Sequence, residues 1–390
     1  MILMNNNAKQ IRVLQIAGGL RDNVNGKPVV GGIVSFLYNY YSKMNHDRIL
    51  FDFLAIRNQC FEQYRNDFER LGSDLYALGI ETGGLRRFVA IIRQLSSFIK
   101  EHDYDAVHIN TSAFFPALAC AIAAKKAGIK NIIAHSHSTG INSKLKRIAI
   151  NLLSPLLTIY ADQYCACSFE AAKNLFSRGV IKKKKYKIIR NAIDAAKYKF
   201  NMNLRDDVRT GLGYENEFVI GHVGRFVDVK NHEFLVEFFL HFKKSVHSAK
   251  LMLIGDGELE QNIKDKVDAL GLTEDVDFLG YRNDPYKYYQ AMDLFVMPSF
   301  VEGFPIVALE AQASGLPCYL SSSITNEVVI TDWCWSFALD DGPNNLAETV
   351  NLNLDIISSR KDTSQCVVDA GFDIKHNLET LESLYVTDRM

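Results

Sequence analysis

The sequence predicts an α/β protein made of two parallel β-sheet domains, and three observations carry this. Short β-rich apolar runs alternate with segments of helical period along most of the chain. The alternation breaks over the polar, aperiodic residues 195–215 and then restarts. The chain has 390 residues, whereas one domain usually takes about 100–200. Strands alternating with helices imply parallel sheets with helices on their faces. The boundary is expected near residue 200. Two such sheets on a short linker are expected to leave a central cleft, with ligands outside the carboxyl ends of the strands.

The first domain opens with strand Ile11–Ile16, closing on Gly18-Gly19. Gly31-Gly32 precedes an amphipathic helix over Ile33–Met44, and strand Leu50–Ile56 follows. Leu85–Lys100 has apolar residues at helical spacing among Arg86, Arg87, Arg93 and Lys100. That composition fits a helix packed on the core or one lying on an anionic membrane. Strand Ala106–Ile109 leads to helix Pro116–Ala127, with Gly128 as its cap. Strand Ile132–Ala134 ends in His135-Ser136-His137, and Gln163–Ala166 and Lys187–Ile189 continue the series. In the second domain, strands Phe218–Val223, Lys250–Ile254, Val276–Leu279, Leu294–Met297 and Pro317–Leu320 alternate with helices. Those helices are His232–Lys244, Leu259–Ala269, Pro285–Ala291 and Ile306–Ala313.

Composition excludes several classes. Hydrophobic residues at 48% and charged residues at 23% describe a folded globular protein rather than a disordered one. Lys plus Arg number 44 against 45 for Asp plus Glu, a net charge of −1. General nucleic-acid binding would need a basic excess. The start, MILMNNNAKQ, lacks the basic and apolar regions of an export signal. The longest apolar run, Ala113–Ala124, contains Pro116 and is too short to span a bilayer. The seven Cys lack CxxC spacing and read as reduced thiols, so the expected compartment is the cytosol.

The chemistry should sit just after the strands. Arg225 follows one strand, and Lys230 stands at the start of the next helix. Two cations there suit a diphosphate, although two surface cations would look the same. In Pro298–Ala311, Gly303 permits close backbone approach and Pro305 or Ile306 is the natural first helical residue. Glu302 lies in that loop and Glu310 a little over one turn into the helix. A free carboxylate in so apolar a helix would be costly, which favours a role in binding hydroxyls. Gly255-Asp256-Gly257 lacks the third glycine of a dinucleotide fingerprint and reads as a tight turn. His135 and His137 leave three readings open: one cleft-facing histidine, two structural histidines, or a metal pair. The reading sets the two rings on opposite faces of the strand. No D-x-D cluster with metal-binding logic appears, and Asp340-Asp341 reads as a solvated loop.

Taken together, GRFVDVKN, LIGDGELEQNIKDKVDALGL, DFLGYRND and VMPSFVEGFPIVALEAQASGLP resemble the donor-binding domain of family-four retaining glycosyltransferases with the GT-B fold. The similarity is close over 218–330. It extends more loosely through the Gly31-Gly32 turn, IIAHSHS, ADQYCACSFEAAKNLF and IIRNAID. The resemblance implies two Rossmann-like domains, 1–200 on the acceptor side and 201–371 binding the nucleotide-sugar donor. Residues 372–390 would cross back to the first domain. It implies that Arg225 and Lys230 bind the donor diphosphate, Glu302 the transferred sugar and Glu310 the ribose. Gly303, Phe304, Pro305 and Ile306 would contact the donor through their backbone. Tyr281 and Arg282 would lie at the base, Gly32 would face the diphosphate, and His137 would position the sugar. Three segments depart from the pattern: the long loop Leu20–Val30, Arg190 and Ala192 in IIRNAID, and Thr325-Asn326-Glu327.

The implied activity is transfer of a hexose, with retention, from a nucleotide sugar, most naturally UDP-linked. The implied acceptor is a saccharide or lipid-linked saccharide in capsule, exopolysaccharide or lipopolysaccharide synthesis. No cofactor and no metal are expected, because two cations already face the leaving diphosphate. The expected location is cytoplasmic, with or without peripheral contact with the inner membrane face. The alternatives are a nucleotide-sugar epimerase on the same fold and a non-catalytic nucleotide-sugar-binding subunit.

Overall fold

The computed structural model describes residues 9–18, 23–24, 27–28, 32–57, 60–111, 113–137, 144–302, 304–357 and 360–386. Gly31, Gly303 and most of the Leu20–Val30 loop lie outside the described residues. The chain divides into two units, Met1–Ala192 with Ile374–Met390, and Ile193–Asp373. At the junction, the Ile193 N–H donates to the Phe372 carbonyl at 3.0 Å, and Ile193 forms a parallel bridge with Asp373. The sequence reading set the junctions at 200 and 372. The short helix Ala195–Tyr198 explains the earlier first junction. Its Ala195 and Tyr198 are buried in the second unit's core, and the Asp373 carboxylate accepts the Ala195 N–H at 3.2 Å.

The first unit holds seven parallel strands: β1 Ile11–Gly18, β2 Ile49–Ala55, β3 Leu75–Ala77, β4 Ala106–Thr111, β5 Asn131–Ser136, β6 Gln163–Ala166 and β7 Lys187–Ile188. Their order is β3-β2-β1-β4-β5-β6-β7, so the direction of winding reverses between β1 and β4. One face packs helix α1, Gly32–Tyr41, through Phe36, Leu37 and Tyr40. The opposite face carries α2 Gly84–Lys100, α3 Phe114–Lys126 and α4 Lys144–Tyr160. Covered on both sides, the strands are apolar almost throughout. Gln15, Asp52, His108, Asn110 and His135 are the fully buried exceptions.

The second unit holds six parallel strands: β8 Val219–Val223, β9 Lys250–Ile254, β10 Val276–Gly280, β11 Leu294–Met297, β12 Cys318–Ser321 and β13 Cys334–Phe337. Their order is β10-β9-β8-β11-β12-β13, and the reversal lies between β8 and β11. Helix α5, His232–Lys243, follows β8, and α6, Ile306–Ala313, follows β11. The chain ends in α7, Ile374–Glu382, which buries Ile374 and Leu381 in the first unit. Several elements escape the sequence reading, among them helix Met202–Leu212, which lies inside the stretch read as aperiodic, and helix Gly342–Leu352. β3 and β13 are short outer strands, and α4 carries Pro155 in its interior, where proline normally argues against a helix.

Candidate active site

In the second unit, the turn after β8 is held by the turn after β9. Gly224 N–H donates to Ile254 O at 2.9 Å, Phe226 N–H to Asp256 O at 2.8 Å, and Leu259 N–H to Phe226 O at 3.0 Å. The glycines of Gly255-Asp256-Gly257 make this approach feasible. A Cβ on Gly255 would lie 2.0 Å from Gly224 O, and one on Gly257 would lie 2.4 Å from Phe226 O. These glycines therefore serve backbone-to-backbone packing beneath Arg225. One 3-10 turn, Asp228–Lys230, follows. Asn231 then caps α5, its side chain accepting the Phe234 N–H at 3.4 Å.

Lys230 reaches the loop after β11. Its Nζ lies 2.6 Å from Glu302 Oε1, with both side chains less than a fifth exposed. Phe300 N–H donates to Val229 O at 2.9 Å, fastening that loop to the Lys230 turn. Two residues singled out for different parts of a ligand thus meet as an ion pair at the sheet's reversal point. Arg225, two residues past the end of β8, is half-buried and has no ion pair among the described residues.

Glu310 is elsewhere engaged. It is buried, and its two oxygens accept the hydroxyls of Tyr198 at 2.8 Å and Tyr289 at 2.9 Å. Burial pushes its carboxyl up from the ordinary range, opposed by the two hydroxyl bonds and the charge of Lys197. Sequence reasoning noted the cost of a carboxylate in this helix but missed both tyrosines. A search for hydroxyl donors able to satisfy that carboxylate was the available signal. Phe304 stacks on Phe372, with centroids 4.9 Å apart. Pro305 caps α6 and Ile306 is its first residue. Tyr281 and Arg282 are exposed, and the Arg282 guanidinium lies 5.5 Å from the centre of the Tyr288 ring.

In the first unit, Gly32 opens α1 at the surface, with open space where a Cβ would stand. The expectation for the two histidines is corrected. Residues two apart on a strand share a face, and the His135 and His137 rings stand 4.0 Å apart. The Phe36 ring meets both edge-on, at 5.1 and 4.9 Å. His137 Nε2 lies 3.1 Å from Asn110 Oδ1. Burial pushes His137 down to about 3 and His135 well below the ordinary imidazole value. Gln15, His108, Asn110 and Tyr385 join this cluster and were not anticipated. Polar residues inside otherwise apolar strands were the signal for the first three. Among the described residues, no group of three or more His, Cys, Asp or Glu side chains is arranged to hold a metal ion.

Comparison with known proteins fits this geometry. The family model described as glycosyl transferases group 1 matches residues 205–365, and that described as glycosyltransferase family 4 matches residues 30–197. EpsF of Bacillus subtilis, which carries the name of a glycosyltransferase, is 31% identical over 97% of each chain. An Escherichia coli protein is 27% identical, over 77% of this chain and 82% of its own. It is named as a UDP-Gal:alpha-D-GlcNAc-diphosphoundecaprenol alpha-1,3-galactosyltransferase. The crystal structure of Anabaena HepE in complex with UDP and glucose superposes with a TM-score of 0.71 at 18% identity. That match covers 96% of this chain and 99% of the other.

The tyrosine contacts make Glu310 a measurable part of the second unit's core. Replacing it by Leu strands two hydroxyls, each at a cost of about 1–3 kcal/mol. Denaturant unfolding of Glu310→Leu should show that loss. Glu310→Gln, which keeps an acceptor, should stay within about 1 kcal/mol of the parent, since one hydrogen bond contributes little more than that net. Equal stability of the Glu310→Leu variant and the parent protein would contradict the assigned contacts.

Proposed function

The chain belongs to the group 1 glycosyltransferases, with a GT-B fold of two Rossmann-like parallel-sheet domains, and from that premise we propose that it transfers a hexose from a UDP-linked donor with retention of configuration. The acceptor is a saccharide or lipid-linked saccharide in cell-surface polysaccharide synthesis, and the work is done in the cytoplasm. One observation carries the proposal: the Lys230–Glu302 pair joins the segments that follow β8 and β11, with Arg225 two residues past the end of β8, where open parallel sheets bind ligands. The UDP and glucose in the Anabaena structure and the UDP-galactose and diphosphoundecaprenol in the Escherichia coli relative's name support the donor and acceptor classes. Seven free cysteines, six of them buried, suit a reducing compartment.

As the sugar leaves, negative charge grows on the diphosphate. Arg225 and Lys230 stabilise that charge more in the transition state than in the ground state. Glu302, set free as the diphosphate engages Lys230, accepts hydrogen bonds from the sugar hydroxyls. His137 positions the sugar and Glu310 turns its residual acceptor capacity to the ribose. Tyr281 and Arg282 flank the base, while Phe304, Pro305, Ile306 and Gly32 offer backbone contacts. With two cations on the leaving group, a metal ion is unnecessary.

A second observation extends the proposal to an anionic membrane surface as partner. Helix α2 buries Ile91, Leu95 and Ile99 but leaves Leu85 78% and Val89 56% exposed. The core-packed reading thus holds for one part of the helix, and the exposed part supports the surface-lying one. Phe115 on α3 and Ile148, Leu152 and Ile159 on α4 are also exposed. Helices α2, α3 and α4 pack side by side and contain Lys and Arg but no Asp or Glu. Exposed apolar side chains among cations of one sign match the interface of an anionic bilayer. No helix among the described residues is long and apolar enough to cross a membrane.

Four measurements follow. A panel of nucleotide sugars incubated with the pure protein and glycan acceptors should give transfer or slow donor hydrolysis with a UDP-hexose. Arg225→Ala and Lys230→Ala should each lower it at least about 10²-fold. Glu302→Gln releases Lys230, so calorimetric titration should show UDP binding kept or tightened while turnover falls. Near-parental activity in both cation variants, or an epimer as the product, would overturn the proposal. Activity should also persist in EDTA, and loss restored by Mn²⁺ or Mg²⁺ would refute metal independence. The protein should co-sediment with phosphatidylglycerol-containing vesicles and not with phosphatidylcholine alone. Arg86→Glu/Arg93→Glu and Leu85→Ser/Val89→Ser should each weaken that binding; failure of the parent protein to bind would remove the membrane partner.

A further inference from the structure

Gln15, His108, Asn110, His135 and Tyr385 are each at most 3% exposed. Their protons can be located one after another from a single fixed point. The backbone carbonyl of His108 can only accept, and Asn110 lies 3.3 Å from it through Nδ2, so the amide nitrogen faces that carbonyl. The same nitrogen donates to Gln15 Oε1 at 2.9 Å, which turns Gln15 Nε2 toward Tyr385 Oη at 3.0 Å. Having accepted there, the Tyr385 hydroxyl sends its own proton to His108 Nδ1 at 2.6 Å. His108 therefore carries its proton on Nε2 and donates to His135 Nδ1 at 3.2 Å. That leaves His135 protonated on Nε2. At the other end, Asn110 Oδ1 accepts from His137 Nε2 at 3.1 Å, so His137 Nδ1 keeps a bare lone pair.

The two atoms left over are complementary. His135 Nε2 carries a proton, His137 Nδ1 carries a lone pair, and both are buried without a partner among the described residues. Their rings are 4.0 Å apart. We infer that Tyr385, Gln15 and Asn110 are positioning residues that fix the tautomers of the histidine pair, so that His135 and His137 together recognise one hydroxyl group of a sugar. A hydroxyl both accepts and donates, so a single one satisfies both atoms. Burial keeps all three rings neutral, with His108 and His137 pushed down to about 3. The inference rests on the reading of His137 as a sugar-facing residue and adds His135 and the relay behind it.

The test uses the full chain with ¹⁵N-labelled histidine, its ring signals assigned through His108→Gln, His135→Gln and His137→Gln variants. At neutral pH, all three rings should be neutral and protonated on Nε2. Tyr385→Phe should mix the tautomers of His108 and His135, and Asn110→Leu those of His137. A ring protonated on Nδ1 in the parent protein, or no tautomer change in either variant, would overturn the relay. Tyr385→Phe keeps the ring and supplies the readout should Asn110→Leu fail to fold. Adding a UDP-hexose should shift the His135 and His137 signals. No shift would mean that the pair holds water only, and the hydroxyl site would fall.

In transfer assays, Asn110→Leu and Tyr385→Phe should each cost roughly tenfold, the scale of one lost hydrogen bond. Neither should lower activity further in a His137→Gln background. Losses that multiply there would reduce both residues to structural parts. If His137→Gln alone leaves transfer intact, the sugar-facing reading fails, while the tautomer spectra still decide the relay.

Discussion

A parallel sheet covered by helices on both faces offers its polar side chains no water, and an unpaired buried donor or acceptor costs about 1–3 kcal/mol. Both units meet that constraint near the reversal points of their sheets. In the first, Gln15, Asn110, His108 and Tyr385 bond in a chain that closes on the His108 backbone carbonyl. In the second, Glu310 takes two tyrosine hydroxyls, and Lys230 takes Glu302. Most polar groups there are accounted for within the fold. Those left over include His135 Nε2 and His137 Nδ1 in the first unit and His222 Nε2, His232 Nε2 and Ser299 Oγ in the second.

The Lys230–Glu302 pair shows how such a site can be both stable and ready. A partly buried ammonium without a partner is penalised, and so is a lone carboxylate. Joined at 2.6 Å, each holds the other in place before any ligand arrives. In the proposed reaction a diphosphate replaces the carboxylate at Lys230, and the sugar hydroxyls become the new partners of Glu302. The glycine-packed turns under Arg225 fix the local backbone, so little reorganisation is needed at the moment of reaction.

The fold was legible because buried parallel strands are written as short apolar runs and their helices as period-3.6 segments. β3, β13 and α4 were not, since outer strands carry weaker patterns and Pro155 contradicts helix propensity. Arg225, Lys230, Glu302 and Glu310 stood out because strand ends and helix starts are marked by glycine and proline. Their partners did not. Tyr198 lies 112 residues from Glu310, and Tyr385 lies 277 from His108, so no local spacing links them. A polar residue in an apolar strand announces that a partner exists, as at Gln15, His108 and Asn110, but not which one.

The return of the chain to its first unit gains a reason from the same bonds. Helix α7 buries Ile374 and Leu381, and Leu384 and Tyr385 follow in the same core. Without Tyr385, Gln15 would lose its acceptor and His108 its donor inside the sheet. The bond between Gln15 and Tyr385 spans 370 residues. Domains tend to fold in order of synthesis, and contacts this distant in sequence form late. The first unit can therefore assemble most of its apolar core early but completes the rest, and its polar centre, only after the second unit has been made. The proton positions on His108 and His135 depend on that late contact, whereas Asn110 and the His108 carbonyl, both on β4, can orient His137 beforehand.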